Sequence, residues 1–359
     1  MQDKAMSKWL SPLMAFCLSF LIIATLAPIT GIQIDRQLDF WILWLVTMFI
    51  LALPICYLEI ALAKRSKTTA VQALSMLTRD ADASQKWRIV GWMGVVFIPF
   101  LAGAMLNYAS NVLAIATPDI ATNLLFVVLT VVALALSLIP RQILVLIAAV
   151  GVIASLLLAN VMGTALPAWH VTAIEFSEWG SATVLALVAS GLGMGLYWQS
   201  SLAAVQQQDQ ATKSALPIWI AQFIAVIAFG FFAVKAQVSA LALVVAMVAA
   251  AALMFNMARE QLQQRQLHTV IQWAIVVIAT LVWAVPNIAT VFNPLLLLWG
   301  LIISLIYAVF AGWIMKISHL RKSMNFSSEV FYNVWRIAVR VVLPLSIIVA
   351  IIAVLGQLI

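Results

Sequence analysis

Three alternate glycines, Gly191, Gly193 and Gly195, follow Ser190 inside an apolar stretch, and this pattern is the strongest candidate for a binding site in the sequence. Each glycine lowers the stability of a helix by roughly 1 kcal/mol and lets other groups approach the backbone closely. In a membrane, such a run has two interpretations. It either packs helices tightly through small residues, or it breaks a helix so that freed carbonyls and amides line a binding site.

The first apolar stretch has an interruption of its own, from Ala27 through Pro28 to Gly31. If the helices form two related halves, these interrupted helices open the two halves, and paired interruptions mark a solute-binding site. Such a site would lie near the midplane of the membrane. On spacing alone, close packing and a binding site both remain open.

The other reactive side chains do not form a catalytic pattern. His170, His268 and His319 are far apart in the sequence, and no metal-ligand spacing or set of nucleophile, base and orienting group is present. Cys17 and Cys56 both fall inside apolar stretches, which favours ordinary packing over a disulfide. We therefore expect no enzyme activity, no bound metal and no cofactor.

Eleven apolar stretches position these residues. Hydrophobic residues make up 65% of the 359, only 9% are charged, and a helix of about 20 apolar residues crosses the hydrocarbon core. Because backbone groups in lipid must be satisfied within each segment, we predict an all-α integral membrane protein with one transmembrane domain, residues 1–359. The predicted spans are 9–30, 40–63, 89–116, 121–139, 142–166, 181–204, 215–235, 238–258, 268–286, 291–317 and 330–357.

The distribution of Lys and Arg predicts the orientation. With the N-terminus in the cytoplasm, seventeen of the nineteen basic residues lie in cytoplasmic segments, and only Arg36 and Lys235 lie outside. The C-terminus is then external, and the net charge of +7 reflects topology rather than a nucleic-acid partner. The first span follows a basic start, as in a signal peptide, but no small-residue cleavage pattern closes it, so we expect it to be retained.

Two connections are unusual. Residues 64–85 mix basic residues with Val71, Leu74 and Leu77, which predicts a short amphipathic helix on the inner membrane surface. A solvated basic loop is the alternative. Between the seventh and eighth spans only residues 235–237 interrupt the apolar sequence, which leaves room for a tight outer turn.

Several segments resemble the neurotransmitter:sodium symporter family, bacterial branch. LPICYLEIALAKRSKTTAVQAL is similar to the family's second helix and the loop after it, with Pro54 and Glu59 in place. SGLGMG followed by KSALPIWIAQFIAVIAFG resembles the family's LGMG motif and the helix after it, and FAGWIMK with VWRIAVRVVLPLSIIV resembles the last two helices. These segments are residues 53–74, 190–195, 213–230, 310–316 and 334–349.

The resemblance implies a LeuT-type fold: two inverted five-helix repeats, residues 1–166 and 181–317, and an eleventh helix at 330–357. It also implies a multi-pass protein of the bacterial inner membrane that binds a small amino acid or amine. Glu59 is the only carboxylate within a predicted span, and it would either brace the second helix or couple transport to protons. The predicted pocket residues are Thr25, Asn107, Tyr108, Ser190, Gly191, Gly193 and Gln222.

The chain departs from the family at the positions that hold its cations. The family's first helix carries Gly-Asn-x-x-Arg-Phe-Pro, whereas this chain reads IIATLAPITGIQI. Gly191 replaces a Ser or Thr, Gln222 replaces an Asn or Asp, and residues 240–255 contain no Ser, Thr, Asn or Gln. The family's tyrosine pair becomes Ala104 and Met105, and its long outer lid is missing.

Two functions are compatible with these departures. Sodium, a hard cation, needs several oxygen ligands, so we expect a reduced secondary transporter that works without sodium, driven by protons or by the solute gradient. The alternative is a transporter-derived scaffold that no longer carries solute and binds another membrane protein. The expected partners are the lipid bilayer and a small amino acid or amine or, in the alternative, a membrane-protein partner.

Overall fold

The computed structural model describes residues 2–30, 37–162, 168–189, 191, 211–232, 240–315 and 317–357, and these are mostly helical. Within them no strand forms, and Gln37 and His170 make one isolated bridge. The helices are α1 (Gln2–Leu26), α2 (Leu38–Ser66), α3 (Ala70–Asp80), α4 (Ile89–Ala116), α5 (Thr122–Leu136), α6 (Arg141–Met162), α7 (Phe176–Leu187), α8 (Thr212–Phe232), α9 (Ala240–Gln264), α10 (Thr269–Leu281), α11 (Ala289–Ile314), α12 (Ser318–Met324) and α13 (Glu329–Gly356).

Most of the helices have the length and composition of membrane spans. Among the described residues, eight are long and apolar enough to cross a bilayer: α1, α2, α4, α6, α8, α9, α11 and α13. Two shorter apolar helices, α5 and the segment Thr269–Ala284 that contains α10, coincide with the fourth and ninth predicted spans. The chain is therefore a multi-pass membrane protein. Most of the sixth predicted span lies outside the described residues, so the count of eleven and the orientation remain predictions.

The amphipathic segment after α2 is a helix, as predicted, and the alternative of a solvated loop is wrong. Its apolar side chains Val71, Leu74 and Leu77 are buried. A Cβ placed on Gly91 would lie 2.9 Å from Leu74 Cδ1 and 3.1 Å from Val71 Cα. Helix α3 therefore crosses the start of α4 in direct contact and is packed into the bundle on this face.

Small residues bring α9 close to its neighbours. Every residue from Ala249 to Phe255 is fully buried, and α9 packs along both α4 and α6. On α6, a Cβ added to Gly151 would lie 2.7 Å from Ala246 Cβ and 3.1 Å from the Ala242 carbonyl oxygen. Such close approach of backbones is how membrane helices gain packing energy without a hydrophobic driving force.

One end of the bundle, which we call the basic end, is where α2 and α9 end and where α4 and α6 begin. There Arg141 forms an ion pair with Glu260 of α9, and its guanidinium donates to Asn256 Oδ1 at 3.5 Å. The Asn256 amide in turn donates to the Ser137 carbonyl at 3.1 Å. This network attaches the turn between α5 and α6 to α9, at the end that the charge distribution predicts to be cytoplasmic.

We expect this ion pair to stabilise the fold measurably. Its side chains are 20% and 39% exposed, so the double-mutant cycle of Arg141→Gln and Glu260→Gln should give a coupling energy of about 1 kcal/mol, near the top of the range for exposed pairs. Chemical unfolding in detergent measures it. The matched control is the pair of Arg321 and Glu329, 58% and 70% exposed, for which we expect almost no coupling. Equal energies for the two pairs would contradict the prediction.

Candidate functional site

The helix at the start of the sixth predicted span ends close to the glycine run, for which the sequence left a break and close packing both open. Helix α7 ends at Leu187, and Gly191 is buried with a φ of 71°. The Gly191 amide donates to the Val188 carbonyl at 2.9 Å. A glycine in the left-handed conformation is the usual residue after a helix end, because it has no Cβ to clash there. Ser190 and Gly193, which we also predicted to line the pocket, lie outside the described residues.

The first predicted span also stops early. Helix α1 ends at Leu26, and residues 27–30 form turns. The amides of Ile29 and Thr30 both donate to the Leu26 carbonyl, at 3.0 and 2.9 Å. The predicted interruption around Pro28 is therefore present as a turn, up to the last described residue before position 31.

The turn after α1 is joined to the middle of α7 by a hydrogen bond. The hydroxyl of Ser181, six residues before the end of α7, donates to the Thr30 carbonyl at 2.9 Å, and both residues are buried. On the other side of α7, Thr47 Oγ1 of α2 lies 3.4 Å from the Ala182 carbonyl oxygen. The end of α1 and the helix before the second break thus form one connected unit with α2. Sequence reasoning missed Ser181 and Thr47, because neither lies in a recognisable motif.

Thr25 and Gln222 lie on two helices that pack together, α1 and α8. Thr25 is buried, and its hydroxyl donates to the Leu21 carbonyl at 2.9 Å, one turn earlier in the same helix. Gln222 is fully buried. The rings of Phe20 and Phe229, 6.1 Å apart, also join these two helices. Both predicted residues are therefore in the core, and whether they line a pocket stays a prediction.

Asn107 and Tyr108 of α4 are both half-buried. The Asn107 amide donates to the Trp283 carbonyl at 3.4 Å, and its side-chain oxygen accepts a bond from Asn111 at 3.3 Å. These contacts hold Asn107 against the turn that follows α10. They do not connect it with the two interruptions, and a role for Asn107 and Tyr108 in the pocket remains a prediction.

Glu59 is buried in α2, at 5% exposure. Tyr307 of α11 and Cys56 of α2, both buried, lie within electrostatic range of its carboxylate. Glu59 thus lies in the core, where α2 approaches α11. This arrangement is compatible with both predicted roles, bracing and proton coupling.

Two buried hydroxyls near the second break were not expected from the sequence. Thr183 of α7 and Ser304 of α11 are fully buried, and their oxygens have no hydrogen-bond partner among the described residues. Ser304 lies one turn after Gly300, on the same face of α11, and a Cβ on Gly300 would lie 2.7 Å from the Val188 methyl groups. That face therefore packs against the end of α7. In the sequence, each of these two residues is only an isolated hydroxyl-bearing side chain within an apolar stretch.

The described residues contain no metal-ligand cluster. No group of three His, Cys, Asp or Glu side chains lies together in that part of the chain. Cys17 and Cys56 are both buried and free, as expected for packing residues.

The bundle has the same fold as solved structures of other proteins. The chain is similar to MhsT in complex with L-phenylalanine, with a TM-score of 0.64 and 14% identity over 95% of this chain and 98% of that one. It is also similar to a manganese transporter of Eremococcus coleocola, with a TM-score of 0.61 and 12% identity over 99% of this chain and 86% of that one.

These similarities identify the fold. The chain has the LeuT-type transporter fold, as the sequence resemblance predicted. No protein-family model and no curated protein sequence matches the chain.

Proposed function

We propose that this protein is a secondary transporter that moves a small amino acid or amine without sodium. The observation that carries the proposal is the buried hydrogen bond from Ser181, within α7, to the carbonyl of Thr30, in the turn where α1 is interrupted. Interrupted helices at the centre of the membrane expose backbone groups that a solute can use. Tight packing alone does not require a left-handed Gly191 at the end of α7.

The helix ends favour a solute with a positive group. Both α1 and α7 end at the interruptions, and the C-terminal end of a helix carries roughly half an elementary negative charge. An ammonium group is stabilised there, and amino acids and amines both carry one. The buried hydroxyls of Thr183 and Ser304 add polar atoms near the second break. L-phenylalanine, bound by MhsT, belongs to this class of solute.

The lack of oxygen ligands supports independence from sodium. Residues 240–255 of α9 carry no side-chain oxygen, and their small apolar side chains pack against α4 and α6. Gly191 offers no hydroxyl where the symporter family has one. A sodium ion would lose its hydration shell without receiving replacement ligands from these positions.

A second candidate function is the membrane scaffold. An open apolar groove of about 470 Å³ lies between α6 and α9, lined mostly by branched side chains such as Leu146, Val150 and Leu241. An exposed apolar groove is a surface on which a partner's transmembrane helix could pack. In this alternative the protein would bind another membrane protein and would carry no solute.

Uptake into liposomes tests the proposal. We expect labelled amino acids to accumulate equally well with and without a sodium gradient. Ser181→Ala should lower uptake about tenfold, because it removes a buried hydrogen bond worth about 1 kcal/mol or more between α7 and the turn after α1. Ser177→Ala, a change on the same helix outside the core, is the matched control and should leave uptake unchanged.

Two outcomes would contradict the proposal. Sodium-dependent uptake would mean that cation ligands exist despite the departures. No uptake of any amino acid or amine, together with a membrane protein that co-purifies in stoichiometric amount, would favour the scaffold.

A further inference from the structure

Arg259 is a cation at the basic end, and no acidic side chain among the described residues pairs with it. It lies on α9, and its guanidinium carbon is 3.8 Å from the centre of the Trp273 ring on α10. Its Nε is buried and has no hydrogen-bond acceptor among the described residues. Among those residues the ion pairs do not include Arg259. A guanidinium has five N–H donors, so donors remain to bind an anion.

The charges around Arg259 favour an anionic ligand. The adjacent carboxylate, Glu260, is already paired with Arg141. Arg265, just after the end of α9, lies 5.8 Å from the centre of the Trp92 ring on α4. Two guanidinium groups, each over an indole ring, thus lie at the same end of α9. Stacking on an indole restricts a guanidinium and leaves its edge free for bidentate contact with a phosphate.

The exposed face of α10 is apolar. On it, Val270, Ile271 and Ile278 are 67%, 49% and 64% exposed, and in a membrane protein these side chains contact lipid. Trp273 lies one turn from the start of the same helix at Thr269, and tryptophans are enriched at membrane interfaces. A ligand that combines an anionic head with apolar chains fits this arrangement, with its head at Arg259 and its chains along α10.

We propose that Arg259, positioned by Trp273, binds the phosphodiester of an anionic phospholipid from the leaflet at the basic end. Basic pockets between transmembrane helices on the cytoplasmic side are typical sites for such headgroups. The proposal does not depend on whether the chain transports a solute.

Lipid titration of the purified full-length protein tests this site. Phosphatidylglycerol is added to detergent-solubilised protein, and bound lipid is counted by native mass spectrometry. For Arg259→Gln we expect the affinity to fall about tenfold, which corresponds to about 1.4 kcal/mol, while Arg259→Lys, which keeps the charge, loses less. Trp273→Leu should also weaken binding, because the guanidinium loses its support. The matched control is Arg321→Gln, since Arg321 also lies over an aromatic ring, that of Tyr332, but is already ion-paired with Glu329.

The comparison ligands distinguish a lipid from a free anion. Phosphatidylcholine, which has no net charge, should bind weakly and equally to the wild type and to Arg259→Gln, and inorganic phosphate should not displace phosphatidylglycerol. The proposal is overturned if Arg259→Gln binds phosphatidylglycerol as tightly as the wild type does, or if Arg321→Gln loses as much affinity. It is also overturned if inorganic phosphate competes fully, because the site would then be one for a soluble anion.

Discussion

Gly191→Val should reduce uptake to below about one-tenth of the wild-type rate. Gly191 has a φ of 71° and is buried at the end of α7. An L-residue in this conformation costs roughly 1–2 kcal/mol, and a β-branched one is a genuine outlier. The backbone would have to leave the left-handed region, so the interruption would change shape where we expect the solute to bind. Initial rates in liposomes, at equal amounts of inserted protein, measure the effect.

A glycine elsewhere provides the control. Gly356, at the end of α13, has no atom within 4 Å of the position that a Cβ would occupy, so Gly356→Val should leave uptake and expression unchanged. The uptake rate of Gly191→Ala should lie between the rates of Gly191→Val and Gly356→Val. If Gly191→Val transported as well as Gly356→Val does, the conformation of the break would be irrelevant to function.

Gly103→Val should lower the free energy of unfolding by about 3 kcal/mol, the upper part of the usual range for overpacking. A Cβ at position 103 would lie 2.5 Å from Trp283 Cδ1 and 3.0 Å from the Thr280 carbonyl oxygen. The same contact surface holds two hydrogen bonds between α4 and the α10 segment: Trp283 Nε1 to the Phe100 carbonyl at 2.9 Å, and Thr280 Oγ1 to the Pro99 carbonyl at 3.2 Å. Separating the helices would break both bonds.

Thermal and chemical unfolding in detergent, followed by tryptophan fluorescence, measure this loss. Gly356→Val again serves as the control, with an expected change close to zero. Gly103→Ala adds a smaller side chain and should destabilise less. An unchanged stability for Gly103→Val would mean that α4 and α10 can separate without cost.

Much of the fold could be predicted from the sequence, because few kinds of secondary structure can cross a bilayer. Apolar length alone placed the third span at 89–116, where α4 runs from Ile89 to Ala116. Mixed basic and apolar residues predicted α3. The π-helical turns Met48–Ala52, Phe310–Ile314 and Ala338–Val342 could not be predicted, since periodicity carries little information where almost every residue is apolar.

The candidate site was only partly predictable. The glycine run from 191 to 195 was compatible with a break or with close packing, because glycine both tolerates positive φ and lets backbones approach, and the sequence alone did not decide between them. The bond from Ser181 to Thr30 joins residues 151 positions apart, and nothing local in either segment indicates it. The contact of Asn107 with Trp283, 176 positions away, depends in the same way on tertiary packing. Long-range hydrogen bonds of this kind are set by the assembled bundle.

The Ser181 bond also limits how the interior can rearrange. Because the turn that follows α1 is bonded to α7, and α7 touches Thr47 of α2, a displacement of any one of these three elements either carries the others with it or breaks a buried polar contact. Breaking such a contact in lipid is costly. Any alternation between two open states would therefore proceed as a concerted swing of α1, α2 and α7 rather than as independent steps.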